Sequence, residues 1–543
     1  MPNAHIEELL KTYQWHKLFE LVKDAQYNPN ISIEKQLDIA LKAMLLSGWF
    51  LDKASSISLL AFFSDKIKNP LIYFCIIYSY ISIGAVDKIN ILRKNKPKNL
   101  PSWIANWIDI EILGRSLKEE EQIKLVRKIS KDKIQLDDYI KVAFLKSLEH
   151  SKVDITYLAQ WIKDINLIHA NDVLSQALCY RANILDCTTI KDDANPVLLV
   201  RKARYYKKER LIKNALLVYD ELSKSSLINL KNMIDWLTIS LSIPQGQEYF
   251  IQRINHAMQS TPNTITIRGT IASYAFIFFW INAKYIQAYN TVKDFQEYKN
   301  LPKDELIKMP QIFFSYMPYL CTHWQNNRSI YDNKLPNYKE LNAFGESHSL
   351  SLSNINFTMN ADNFHANSNF IMGIKMYHLS NPTSSYHAAC LLEHFKFIKP
   401  NSDIMFTIGE IDTRPDEGIW QVHLKKEKAV DEIISDTVGG YIEFLYENLK
   451  DKNLSSVTIQ GIPAPAYALE GDKDPKDKEG FLNMIKQVNE KLKELTLEKG
   501  WNFLDVYAAT VGEDGKSNKK WHIDGYHLQP IFYTEADKWL VRV

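Results

Sequence analysis

The sequence predicts two fold classes in series: an all-α helical-repeat solenoid over residues 1–333, then an α/β domain with a parallel sheet over residues 334–543. Three observations carry this. Up to about residue 325, apolar residues recur at three- and four-residue spacing, with short polar turns and almost no strand-like alternation. Helix starts near His16, Leu51 and Val86 fall 35 residues apart, close to the period of stacked helix-turn-helix units. From Lys334 to Leu341 (KLPNYKEL) the pattern changes, and strand-like segments begin to alternate with helical ones.

A chain of 543 residues is longer than the roughly 250–300 residues that one core usually serves, so two or more domains are expected. With 46% hydrophobic and 24% charged residues it has ordinary globular composition. Lys plus Arg (66) nearly balances Asp plus Glu (64), so nothing in the overall field points to nucleic acid. Five scattered cysteines without CxxC spacing argue against a disulfide framework or zinc site, and fit a reducing cytosol. The start, MPNAHIEELLKTYQWHKLF, is acidic where a signal peptide is basic, so export by that route is not expected.

In the helical region, later copies of the unit begin at Leu117, Val153, Arg210, Glu248 and Lys284, and the pattern resembles tetratricopeptide repeats. That likeness implies a stacking surface, suited to a protein partner or a long acceptor. Two apolar stretches, Pro70 to Val86 and Ala272 to Ala283, fall short of the roughly 20 residues of a spanning helix, so buried helices and no transmembrane segment are expected. The run Arg201 to Arg210 (RKARYYKKER) has six basic residues; a solvated helix face is expected, with attraction of an anionic partner as the alternative.

In the second region the strands are expected at Lys339 to Phe344, Asp403 to Ile408, Ser456 to Gln460 and Trp501 to Val506. The helices are expected at Tyr386 to Phe397, Lys428 to Lys450 and Lys478 to Lys499. Such alternation makes parallel βαβ units with helices on both faces, and functional residues gather at the carboxyl ends of the strands.

After the first strand comes GESHS, Gly345 to Ser349. A serine where a strand turns into a helix exposes its hydroxyl and aims its own N–H at the same point, a nucleophile and an oxyanion donor together. A hydroxyl needs a base, and the base needs a carboxylate to fix its tautomer. DGYHL, Asp524 to Leu528, supplies both, since three-residue spacing lets Asp524 reach one imidazole nitrogen of His527 while the other faces Ser347.

GESHS, the mid-domain GEID (Gly409 to Asp412) and the terminal DGYHL together resemble the SGNH (GDSL-type) hydrolase superfamily over residues 341–543. The resemblance implies a flavodoxin-like, three-layer α/β/α fold and a Ser347–His527–Asp524 triad. Glu346 stands where the family usually has Asp. The second-block glycine, an oxyanion donor, maps to Gly373. In the third block Ile411 replaces the Asn that completes the oxyanion hole, and Ile has no donor. Arg414 is the nearest substitute, with Asn363, Asn367 and Asn369 as others. His348 is expected to pack or face substrate, and His522 to lie at the surface, with substrate binding as its alternative. The remaining histidines lack ligand spacing, so no metal is expected.

The family contains esterases and O-acyltransferases. The expectation is a cytoplasmic enzyme, or one peripheral at the inner membrane face, transferring acetyl from acetyl-CoA to a capsular or surface polysaccharide. A carbohydrate acetylesterase is the alternative. A third reading is an inactive solenoid scaffold for a glycan-biosynthesis partner.

Overall fold

A computed structural model describes residues 70–82, 96–113, 185–191, 195–224, 230–260, 265–294, 308–331, 336–471 and 474–542, with a few isolated positions among the first 180. The repeat copies expected at His16, Leu51, Leu117 and Val153, and most of that at Val86, lie outside these residues. The chain forms two compact units, one of Met1–Tyr205 with Leu217–Ile234 and the other of Tyr206–Leu216 with Asp235–Val543.

The described part of the first unit is helical. Pro70–Ser82 meets Ser102–Leu113 through Phe74 and Trp107, whose ring centroids are 4.5 Å apart. No helix among the described residues is long and apolar enough to cross a membrane. Only part of the basic run is the open solvated face its composition suggests, at the exposed Lys208 and Arg210. Arg201 and Lys202 are buried, Lys202 donates to the Ile190 carbonyl at 2.6 Å, and Arg204 donates to Asn232.

The second unit holds a seven-stranded, mostly parallel sheet: β1 (Lys339–Gly345), β2 (Asn356–Met359), β3 (Asp362–Phe370), β4 (Asp403–Thr407), β5 (Ser456–Gln460), β6 (Asn502–Leu504) and β7 (Leu540–Val541). Their order is β2-β3-β1-β4-β5-β6-β7, with only β2 and β7 antiparallel to their neighbours. The chain leaves β1 for β3 on one side, then crosses to β4 on the other. The switch of direction therefore falls at the carboxyl end of β1, where open sheets of this kind place ligands. All five residues of β4 are buried, and since successive side chains point to opposite faces, both faces are covered there.

Residues 235–331, expected with the repeats, cluster with the sheet. The helix Ile265–Ile281 is apolar all round and buried, as suits a core helix, and packs against β3 and the turn after β1. Trp280 donates its indole N–H to the Leu350 carbonyl at 2.9 Å. The Asn354 amide answers with bonds to the carbonyls of Trp280 and Ile281. The helix Lys308–Asn326 packs alongside Ile265–Ile281.

The four expected strands are present within two residues of their bounds, as are the three expected helices, at Tyr386–Phe395, Val430–Leu449 and Lys478–Glu498. Strands β2, β3 and β7 were not anticipated. The sequence of β3, DNFHANSNF, alternates, but its intervening positions are Asn, His and Ser, which reads as loop composition.

Candidate active site

Ser347 opens the short helix Ser347–Leu352 directly after β1. Gly345 makes the turn possible: a Cβ there would meet Thr407 Oγ1 at 2.0 Å, so β1 can approach β4 only with glycine in that place. On the far side, the carboxylate of Asp524 folds its own loop. Its Oδ1 accepts the N–H groups of Tyr526 and His527, each at 2.7 Å, an Asx-type turn that leaves Oδ2 free for His527 Nδ1 at 2.8 Å. An antiparallel bridge between His522 and Leu528 and the bond from Ile523 N–H to the His527 carbonyl close the loop.

These two segments bring the expected triad together. His527 Nε2 lies 2.8 Å from Ser347 Oγ across 180 residues of chain, completing a continuous Ser–His–Asp hydrogen-bonded line. Ser347 is 4% exposed and His527 1%, so these two members are closed to bulk water, while Asp524 keeps partial exposure. Burial works against ionisation of Asp524, yet the charge and bonds of His527 outweigh it and keep the carboxyl below its usual range.

A second set of charges surrounds Ser347. Glu346 accepts from the backbone N–H of Ser347 and also from its hydroxyl, whose single proton therefore points to this carboxylate. Its other oxygen is 2.8 Å from His348 Nδ1, and His348 Nε2 is 3.2 Å from the Tyr526 carbonyl. Burial pushes the Glu346 carboxyl up, but His348 and the local hydrogen bonds bring it down to about 2. His348 therefore faces its carboxylate and packs, in keeping with one of the two roles expected for it.

Of the remaining site residues, Gly373 lies in the loop after β3 at φ +70, in a loop fastened to the nucleophile strand by Ile371 N–H and the Gly345 carbonyl. Arg414 is buried and directs Nε to both carboxylate oxygens of Glu410, at 3.0 and 2.9 Å, with its guanidinium carbon 4.7 Å from the Tyr526 ring centre. That fork is committed to Glu410, so Arg414 is a structural cation beside the site rather than a free oxyanion donor in this arrangement. Asn363 pairs with β2 and lies beside the amino end of β1, the opposite end of the sheet from Ser347. Asn367 and Asn369 lie on β3 opposite Asn342 and Phe344. Ile411 occupies the 3-10 turn after β4 as the sequence implied. His522 is not at the surface: it is partly buried, bonded to Ser517, and burial lowers it to about 4.

Glu346, His348 and Glu410 each bring one ligand atom within 4.8 Å of the others. All three already have protein partners, and an ion there would have to displace the Arg414 fork from Glu410.

Sequence reading missed Tyr316. This residue of the helix Lys308–Asn326 lies face to face with His527, ring centroids 3.8 Å apart and planes 17° apart. Nothing local marks it, since the contact spans more than two hundred residues and the helix reads like its neighbours. Comparisons with known proteins add no identity: no family model matches the chain, and neither does any curated protein.

Proposed function

We propose that the chain is a serine-dependent acyltransferase of SGNH type, carrying an acetyl group from a thioester such as acetyl-CoA to a hydroxyl of a capsular or surface polysaccharide. The observation that carries this is the 2.8 Å and 2.8 Å line from Ser347 through His527 to Asp524, set at the switch point of a parallel sheet. The motifs GESHS, GEID and DGYHL support the SGNH reading, and the helical units at 212–223, 250–260 and 285–294 support a repeat region.

Ser347 Oγ attacks the acyl carbonyl while its proton passes to His527 Nε2. The tetrahedral adduct collapses as His527 returns that proton to the departing thiolate, leaving acyl-Ser347 and a free thiol. The acceptor hydroxyl then gives its proton to His527 and attacks the acyl carbon, and the proton returns to Ser347 as the new ester leaves. For the oxyanion to use the Ser347 N–H, and for the hydroxyl proton to reach His527, the Glu346 carboxylate must first turn away from both. Burial of the triad favours transfer over hydrolysis, because an acyl-enzyme shielded from water survives until an acceptor arrives.

Incubation of the full chain with acetyl-CoA and candidate glycans, read by intact mass, tests this. Acetyl on Ser347 that moves to an added glycan supports transfer, while acetate released at a rate no acceptor diverts makes the protein an acetylesterase. The Glu346 carboxylate on the Ser347 N–H favours a second reading, an inactive scaffold. Labelling of Ser347 by a fluorophosphonate, lost in Ser347→Ala, overturns that one.

A further inference from the structure

We infer that Tyr316, from the helical segment that precedes the sheet, is a positioning residue for the base of the triad. The inference rests on the acyl-serine reading above and concerns how His527 is held.

The imidazole of His527 is fixed at both ring nitrogens and on one face. Its edges meet Asp524 and Ser347. One face meets Tyr316 in near-parallel stacking, and the ring of His348 lies tilted beside it, centres 5.0 Å apart. Tyr316 is itself anchored at the far end of its ring. Its hydroxyl bonds to Ser351 Oγ, and Ser351 donates its single proton to the Leu528 carbonyl at 2.6 Å, so the tyrosine is the donor in the first bond. Leu528 is the residue after His527. The anchor therefore runs from the tyrosine hydroxyl, through the helix that Ser347 opens, back to the backbone of the base. Tyr316 is fully buried, which leaves the ring no alternative placement without repacking.

The stacking has a chemical consequence beyond geometry. When His527 takes the Ser347 proton it becomes an imidazolium, and an aromatic face over a cation lowers its energy. Tyr316 thus both sets the plane of the ring and favours its charged form during acyl transfer. Such a role predicts effects on turnover with little effect on substrate affinity, since the ring touches no substrate.

The test uses the full chain, p-nitrophenyl acetate as acyl donor and a fluorophosphonate to count competent Ser347. Tyr316→Leu is expected to lower kcat about tenfold with KM nearly unchanged. The acidic limb of the pH–rate profile should move to lower pH, because the imidazolium has lost its stacked face. Tyr316→Phe keeps the face, loses only the anchor, and should retain activity within about threefold. Wild-type kcat and an unmoved profile in Tyr316→Leu overturn the inference, and so does a fall in Tyr316→Phe equal to that in Tyr316→Leu. Should Tyr316→Leu fail to fold, Tyr316→Trp replaces it. It is expected to keep the acidic limb in place, and a limb displaced despite the retained aromatic face counts against the inference. Wild-type protein that Ser347 reagents never label would sink the acyl-serine reading instead, so the two failures are separable.

Discussion

Two carboxylate–imidazole pairs lie side by side in this protein and have the same internal geometry. Asp524 is 2.8 Å from His527 Nδ1, and Glu346 is 2.8 Å from His348 Nδ1. What separates them is the partner of the far nitrogen. His527 Nε2 faces a hydroxyl, which can give up a proton, whereas His348 Nε2 faces the Tyr526 carbonyl, which can only accept one. Burial pushes His348 down, but the Glu346 charge and bond outweigh it and leave the imidazole raised, so it favours the doubly protonated form. A carboxylate beside a histidine thus makes either a base or a fixed cation, depending on what the other nitrogen meets.

The comparison breaks most sharply at the base. His527→Ala is expected to lower acylation of Ser347 on the order of 10⁴-fold or more, measured by pre-steady-state release of p-nitrophenol. His348→Ala should instead cost stability, about 3 kcal/mol by denaturant unfolding, because it strands a buried carboxylate. Its acylation rate should fall no more than about tenfold. A His348 variant as inactive as the His527 variant would erase the distinction.

Next in size is Glu346→Gln, which keeps the shape and removes a negative charge from beside the oxyanion donor. Acylation is expected to rise by up to about tenfold, since an oxyanion no longer forms against a carboxylate. A fall of that size would mean that Glu346 assists the reaction.

The smallest effect is on acid stability. His323, His378, His394 and His522 are each lowered to about 4, chiefly by burial. A lowered histidine excludes a proton that the unfolded chain accepts, so stability is full above the unfolded value near 6.5 and declines as pH falls toward 4. Asp412 opposes this trend: burial raises it to about 6, so its contribution grows as pH drops through that value. With His387, which burial also holds well below the usual range, five groups against one predict a lower melting temperature at pH 4.5 than at pH 7. The Glu346–His348 pair is the exception among the buried histidines, its carboxylate holding until pH falls from about 4.5 toward 2. Glu346→Gln should therefore steepen the decline between pH 6.5 and 4, as His348 joins the lowered group.

What was legible in the sequence was local. Asp524 and His527 are readable because the Asx turn that joins them is closed within four residues. Ser347 is readable because an apolar strand, a glycine and a serine in that order define the turn. Strands β4 and β5 announce themselves by burial on both faces, while β3 hides behind Asn, His and Ser. Arg414 is the nearest side chain to Ile411 that could substitute as a donor, but a competitor for it lies in the same turn. Glu410 stands four residues earlier, and the pair closes on itself. Tyr316 and the seam at Trp280 were beyond reach, since each depends on packing between segments far apart in sequence.

The seam formed by Asn354 has a practical meaning. Its amide caps the carbonyls of Trp280 and Ile281 while Trp280 ties down Leu350, so the floor under the serine turn is built from chain that precedes the sheet. A recombinant excised at residue 334 would be a roof without its joists, and shuffling this unit as an interchangeable cassette calls for a junction no later than Asp235.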